Sequence, residues 1–192
     1  DNSITFSGVM GLAQSLGGLD KVGLITLDAH HDVRDGISNG SPIRQLIEAG
    51  LSGEHIVQIG ISDFANSRYY AEKVREYGIH VIDRARTRNE PMQDIASAAL
   101  AIAGEGHRAI YLDIDMDVCD RSVVPACPAA TPGGLSADEL RQLVALITSD
   151  PRVRMADITE IDSSIDSADG RTTRLAALVI LEIATSRALL QQ

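Results

Sequence analysis

VGLITLDAHHD, residues 22–32, joins a continuous apolar run to a cluster of polar side chains. A strand that is apolar at successive positions is typical of a parallel sheet covered on both faces. Asp28, His30 and Asp32 stand at alternate positions, so in an extended segment their side chains share one face. The sequence therefore predicts two carboxylates and an imidazole together at the carboxyl end of a buried strand.

A second segment of the same kind, IYLDIDMDVCD (110–120), follows later in the chain. It places Asp113, Asp115 and Asp117 at the end of another apolar run. Buried carboxylates that face one another repel and are costly to remove from water, unless cations lie between them. Two such clusters in one small domain predict a binuclear metal hydrolase.

Apolar β-branched runs alternate with helical patterns along the whole chain. This alternation predicts an α/β fold, a three-layer α/β/α arrangement with a mainly parallel sheet, in a single domain spanning 1–192. Ser136 followed by Glu139 predicts a capping box at the start of a helix. The polar motifs follow strands, at the edge where such sheets place their sites. The predicted strands are 22–27, 55–61, 78–83, 107–115 and 153–162, and the predicted helices are 4–16, 42–49, 65–77, 91–103, one from 136, and 172–190.

The composition narrows the classes of function. With 27 acidic and 17 basic residues, the net charge of −10 disfavours a nucleic-acid partner. No apolar stretch approaches the roughly 20 residues that span a bilayer, so no membrane partner is expected. Two cysteines, Cys119 and Cys127, are too few for a disulfide framework and are expected to be buried apolar fillers in a cytoplasmic protein.

The motifs DAHHD and DIDMDVCD, in this order and at this separation, resemble those of the ureohydrolase family, which includes arginases and agmatinases. The resemblance implies a three-layer α/β fold and two Mn²⁺ ions per chain, although zinc or iron would suit the same donors. It also implies which residues of the first motif are ligands, namely Asp28, His30 and Asp32. In the second motif it selects Asp115, Asp117 and Asp120, while Asp113 stands where the family usually has serine.

Two further segments are similar to family motifs. The opening residues resemble a Gly-Gly-Asp-His-Ser stretch whose histidine binds a metal, and Asn2 stands in that place as a weaker candidate ligand. The preceding glycines are absent, so an N-terminally truncated fragment is expected. DITEID (157–162) resembles the segment whose glutamate contacts the cationic group of the substrate, which implies that role for Glu160. A planar amidine or guanidine cation matches a carboxylate.

The loop SNGSPIRQL (38–46) distinguishes among members of the family. Asn39 stands where agmatinases and arginases place a histidine, and the pattern is most similar to that of formimidoylglutamases. The resemblance implies hydrolysis of N-formimino-L-glutamate to glutamate and formamide, in histidine degradation. An agmatinase or guanidinobutyrase, and a ureohydrolase-fold protein that binds without catalysing, are the alternatives.

The resemblance and the chemistry of the side chains together imply roles for single residues. Asp32 is expected to pass a proton to the leaving nitrogen, Glu160 to orient the amidinium, and Asn39 and Arg44 to bind substrate. Arg34 and Arg68 are further candidates for the carboxylates of a small-molecule substrate. His31 is expected to be structural. A homo-oligomer, trimer or hexamer, is implied as well.

Overall fold

The five apolar runs of the sequence form one parallel sheet. A computed structural model describes residues 1–190 of the chain. The strands are β1 (Val22–Leu27), β2 (Ile56–Ile61), β3 (His80–Asp83), β4 (Ala109–Asp115) and β5 (Val153–Thr159). The helices are α1 (Ile4–Leu16), α2 (Pro42–Ala49), α3 (Arg68–Glu76), α4 (Arg84–Asn89), α5 (Met92–Ala103), α6 (Ala137–Thr148) and α7 (Arg171–Leu189).

The strand order is β3-β2-β1-β4-β5, and every pairing is parallel. Strand β1 is central, and its last residue, Leu27, pairs with Ile59 of β2 and Ile114 of β4. The carboxyl ends of β1 and β4 are therefore neighbours. This register brings the DAHHD and DIDMD segments to the same place.

Helices cover both faces of the sheet, which confirms the predicted three-layer α/β/α fold. Helices α1, α2 and α3 pack on one face, where Leu24 and Tyr111 belong to the apolar core. Helices α5, α6 and α7 pack on the other, against Ile25 and Leu112. Alternate residues of β1 thus face opposite cores, which explains why its apolar run is unbroken.

The ends of several elements differ from the predicted ones, for local reasons. Strand β5 ends at Thr159, three residues early, because Glu160 takes a left-handed backbone conformation with φ 60°. His107 has φ 62°, which delays the start of β4. Helix α3 begins only after Ser67, whose side chain accepts a hydrogen bond from the Tyr70 N–H. Left-handed backbone conformations and side-chain caps are local features that hydrophobic periodicity does not report.

Helix α4 was not predicted from the sequence, whereas the capping box at the start of α6 was. Helix α4 is short, rich in arginine, and begins where the Asp83 side chain accepts the Arg86 N–H at 2.9 Å. Its sequence has no apolar periodicity to indicate a helix. Ser136 and Glu139 form the predicted reciprocal pair at the start of α6. Cys119 and Cys127 are both buried and free, as expected.

Within residues 1–190, no helix combines the length and apolar character that crossing a bilayer requires. The longest helix, α7, has 19 residues and contains charged side chains along its length.

Close packing of β1 against α5 gives a testable consequence. A Cβ atom added to Gly23 would lie 1.9 Å from the Ala103 carbonyl oxygen, so the backbone must shift. We expect Gly23→Ala to lower the free energy of unfolding by about 2 kcal/mol or more. Gly11→Ala is the matched control, because a Cβ there meets no atom within 4 Å and alanine favours helix α1. Urea unfolding of both variants measures the difference; equal effects would contradict the packing.

Candidate metal centre

The DAHHD loop (residues 28–32) begins where β1 ends, at Leu27. Its conformation differs from the extended one expected, because Asp32 is left-handed with φ 51°. The His30 N–H also turns back to the Asp28 Oδ1 atom at 2.6 Å. The polar side chains of this loop therefore converge through a turn, and not through the two-residue repeat of a strand.

The second acidic segment meets this loop from β4. Asp115 is the last residue of β4, and its Oδ1 atom accepts the Asp117 N–H at 2.8 Å. Asp117 lies in a short 3₁₀ turn, where its Oδ1 atom accepts the Ala29 N–H at 3.0 Å. This last bond ties the two segments together directly.

Three side chains form the tightest part of the site. The His30 Nδ1 atom lies 2.7 Å from Asp117 Oδ2 and 3.6 Å from Asp28 Oδ1. Potential ligand atoms of Asp28, His30 and Asp117 all lie within 4.8 Å of one another. Asp32 and Asp115 line a cavity of about 90 Å³ beside them. The other residues lining this cavity are Asn2, His30, Arg34, Asn39, Gly40, Asp117, Ala129 and Glu160.

Burial and mutual repulsion dominate the electrostatics of the cluster. Asp28 is 1% exposed and Asp115 3%. Burial, then the neighbouring carboxylates, raise the pKa of both well above the ordinary value. Burial also raises the pKa of Asp32 to about 7, against a hydrogen bond from Asn2. Burial opposes ionisation of Asp117, but the bond from His30 prevails and holds its pKa below the ordinary value.

These residues fit a divalent cation. Buried carboxylates with raised pKa values are sites where positive charge is needed, because each ionised form is otherwise uncompensated. Carboxylate oxygens with one imidazole nitrogen are donors that suit Mn²⁺ better than a metal that prefers thiolates. The residues that could hold such ions are Asp28, His30, Asp32, Asp115 and Asp117, which are five of the residues that the two sequence motifs select.

Asn2 does not take the ligand role expected from the sequence. It is 2% exposed, and its Nδ2 group donates to Asp32 Oδ2 at 2.6 Å. Its Oδ1 atom, the one able to bind a cation, accepts from Thr5 Oγ1 at 2.9 Å and Thr159 Oγ1 at 3.1 Å. Because the amide presents its donor to the cluster, Asn2 holds Asp32 in place.

Glu160 and Asn39, the predicted substrate-binding residues, both line the cavity. Glu160 Oε1 accepts the Asn2 N–H at 2.9 Å and the Asn39 Nδ2 group at 3.4 Å. The left-handed backbone of Glu160 is unusual for a residue with a side chain. Such conformations cost on the order of 1–3 kcal/mol and concentrate at functional sites.

Arg44 lies away from the cavity, which corrects its expected role in substrate binding. Its Nε atom donates to the Arg34 carbonyl at 2.7 Å, one terminal nitrogen bonds the Gly36 carbonyl, and the other pairs with Glu48. The guanidinium therefore braces the loop before α2. Arg34 lines the cavity instead, while Arg68 is exposed and pairs with Glu72.

Asp113, which is fully buried, and Asp157, which is half-buried, form a carboxyl pair that the sequence did not predict. Both stand in one row across the sheet, in register with Thr26. Neither carboxyl oxygen of Asp113 has a hydrogen-bond partner in the protein, whereas Asp157 Oδ2 accepts from Tyr111 Oη at 2.9 Å. Burial and the adjacent carboxylate raise the pKa of Asp113 well above its ordinary value, which favours its protonated form. The aspartate at 113, where the family usually has serine, was a signal in the sequence that this position is unusual. Its partner, Asp157, could be identified only from the register of β4 and β5.

Asp120 and His31 also have defined positions. Asp120 accepts the N–H groups of Ser122 and Gly133 at 2.8 and 2.7 Å, so it organises its own loop and does not line the cavity. His31 is buried and contacts Gln58, in line with the structural role expected for it.

Comparison with known proteins gives a consistent picture. A family model described as "Arginase family" matches residues 1–185. The formimidoylglutamase of Bacillus subtilis (strain 168) is 36% identical over 186 residues, which are 94% of this chain and 57% of that protein. The formimidoylglutamase of Halalkalibacterium halodurans is 38% identical, with the same coverage of 94% and 57%. The chain thus spans somewhat more than half the length of these curated relatives.

Solved structures give the same fold. The crystal structure of the B. subtilis formimidoylglutamase superposes with a TM-score of 0.92 at 34% identity, over 98% of this chain and 59% of that one. A Trypanosoma cruzi formiminoglutamase, crystallised with Mn²⁺₂, has a TM-score of 0.90 at 23% identity, over 98% and 63% of the two chains. At that identity the second match supports the fold alone.

The charge of the cluster predicts how stability depends on pH when metal is absent. Folded Asp32 has a pKa near 7 and an unfolded aspartate one near 3.8, so the folded chain holds the extra proton between them. Stability from this group is present at low pH and is lost as pH rises through 7. In EDTA, Asp32→Asn should therefore gain stability over wild type from pH 5 to 8, by at most about 1.4 kcal/mol per pH unit.

Urea unfolding at pH 5, 6, 7 and 8 measures this gain. Asp120→Asn is the control: its pKa is lowered by hydrogen bonds from Ser122 and Gly133, so its effect should be constant over this range. A constant difference for Asp32→Asn as well would contradict the electrostatic description of the site.

Asp117→Asn tests the cluster as a metal centre. This change removes a carboxylate that His30 contacts at 2.7 Å. We expect Mn²⁺ affinity to fall by about 100-fold or more, because a ligand charge is lost as well as an oxygen donor. Asp120→Asn is again the control, since it alters the same acidic motif outside the cavity. Isothermal titration with Mn²⁺ measures both, and equal affinities would rule out this placement.

Proposed function

This chain belongs to the arginase family, and we propose that it forms the catalytic core of a binuclear manganese hydrolase. The proposed reaction cleaves the formimino C–N bond of N-formimino-L-glutamate and yields glutamate and formamide. The observation that carries the proposal is that four potential ligands line one cavity with Glu160, and that a fifth, Asp28, lies next to two of them. The resemblance to formimidoylglutamases, at 36–38% identity over most of the chain, supports the choice of substrate.

Two Mn²⁺ ions would be held by the carboxylates of Asp28, Asp115 and Asp117, the imidazole of His30, and Asp32. When bound, such ions supply Lewis acidity and bring the pKa of water toward neutrality. They also offset the repulsion that raises the pKa values of Asp28 and Asp115. The presence of Mn²⁺₂ in the T. cruzi formiminoglutamase crystals is consistent with this choice of metal.

Glu160 binds the amidinium group in this proposal. A carboxylate and a planar N–C–N cation form paired, charge-assisted hydrogen bonds. Both bonds that Glu160 receives from the protein end on Oε1, so they fix the carboxylate without using Oε2. The donors are the Asn2 backbone and Asn39, which ties Asn39 to substrate orientation.

Asp32 moves the proton. Water adds to the amidine carbon, the bond from this carbon to the glutamate nitrogen breaks, and the proton released by water passes to that nitrogen. Asp32 lines the cavity, and the Asn2 amide restrains one of its oxygens. A general base has to be held in such a position to act on a bound substrate.

Arg34 favours a substrate with an anionic tail. It lines the 90 Å³ cavity and also a neighbouring cavity of about 330 Å³, which shares His30 and Asp32 with it. A guanidinium group binds carboxylates, as in a glutamate moiety, and repels the ammonium tail of agmatine. The 90 Å³ cavity therefore presents one negative and one positive side chain, Glu160 and Arg34, to a substrate.

Steady-state assays of the Mn²⁺-loaded protein test the proposal. We expect turnover of N-formimino-L-glutamate, with little or none of agmatine or 4-guanidinobutyrate. Glu160→Gln should lower kcat/KM by about 100-fold, because the charged partner of the amidinium is lost. Glu76→Gln, an exposed residue of α3, is the matched control. Preference for agmatine would overturn the substrate, and activity on no amidine or guanidine would favour a non-catalytic binding protein.

A further inference from the structure

We propose that Asn66 and Gln58 are positioning residues that shape the DAHHD loop so that its polar side chains converge on the metal centre. The proposal rests on the proposed function for the identity of the bound ions. Its structural basis is that the loop leaves the sheet at Leu27 and has a turned backbone. A turned backbone outside a sheet needs other partners for its N–H and C=O groups.

The backbone N–H groups of the loop have identifiable partners up to His30. The Asp28 N–H donates to the Ile59 carbonyl of β2 at 3.0 Å, which continues the sheet by one residue. The Ala29 and His30 N–H groups donate to the Asp117 and Asp28 carboxylates. The side-chain amides of Asn66 and Gln58 bond the two backbone groups of His31, and Asn66 also bonds the Ala29 carbonyl, which accepts the Ser62 N–H at 3.0 Å as well.

Asn66 brackets the metal-facing histidine. Its Nδ2 group donates to the Ala29 carbonyl at 3.0 Å, and its Oδ1 atom accepts the His31 N–H at 3.0 Å. The two bonds lie on either side of His30 in the chain. They restrain its backbone while its imidazole extends to Asp117.

Gln58 holds the next residue from inside the sheet. It is fully buried on β2, and its Nε2 group donates to the His31 carbonyl at 3.0 Å. Its Oε1 atom therefore faces His31 Nδ1, 2.8 Å away, and that nitrogen carries the proton. His31 is thereby drawn toward β2, opposite to the side on which His30 lies against Asp117.

Amide side chains suit this task because Asn66 and Gln58 must each donate one hydrogen bond and accept another. A carboxylate at 66 could still accept the His31 N–H, but its second oxygen would face the Ala29 carbonyl without a proton between them. Asn66→Asp thus preserves size and shape while disrupting half of the bracket. It separates positioning by the amide from simple filling of space.

Mn²⁺ binding and amide exchange together test the proposal. We expect Asn66→Ala and Asn66→Asp to weaken Mn²⁺ binding by about 10- to 100-fold, the usual effect of losing a group that orients a ligand. Loss of the free Mn²⁺ EPR signal gives the affinity. In the metal-free protein, the His31 amide hydrogen should exchange about tenfold faster in both variants, as measured by NMR.

Asn89→Ala is the matched control, because Asn89 also donates to a backbone carbonyl, that of Ala85 at 2.7 Å, within helix α4. It should leave Mn²⁺ affinity and His31 exchange unchanged. Unaltered affinity and exchange in both Asn66 variants would overturn the inference and leave the metal centre standing. A wild-type protein that binds no Mn²⁺ would overturn the metal centre, while the exchange measurement would still decide whether Asn66 shapes the loop.

Discussion

The structure depends on one constraint: several carboxyl groups are buried side by side at the carboxyl edge of a parallel sheet. Strands β1 and β4 are neighbours in register, so whatever follows them meets at that edge. Here both are followed by acidic segments, and burial with mutual repulsion raises the pKa values of Asp28 and Asp115. Such a cluster is stable as a set of anions only when cations compensate it. The surrounding contacts of Asn2, Asn66 and Gln58 keep these groups in one arrangement.

The sequence was sufficient for the fold because its strands are continuous apolar runs. VGLITL has no alternation to misinterpret, and its length and β-branched content exclude a helix. The candidate metal ligands could also be predicted from the sequence, because Asp28, His30, Asp115 and Asp117 lie at or just after the ends of such runs. The conformation of the DAHHD loop could not be predicted in this way. The left-handed backbone of Asp32 breaks the two-residue repeat of an extended segment, which was the basis for expecting Asp28, His30 and Asp32 on one face.

The remaining errors concern partners that are distant in the chain. Asn2 is oriented by Thr159, and Arg44 by carbonyl groups of a loop whose path is irregular. The pairing of Asp113 with Asp157 follows from the register of β4 and β5, which side-chain patterns within either strand do not contain. Local sequence indicates residue types at a strand end, whereas tertiary packing decides which atom of each residue faces the site.

Incorporation of Mn²⁺ into crystals of the protein tests the central claim most directly. Anomalous diffraction at the manganese edge locates the ions without reference to activity. The description above predicts two anomalous peaks in the cavity, one within bonding distance of Asp28, His30 and Asp117, and the other beside Asp32 and Asp115. Peaks confined to exposed carboxylates, with the buried cluster empty, would contradict the assignment of this sheet edge as a metal centre.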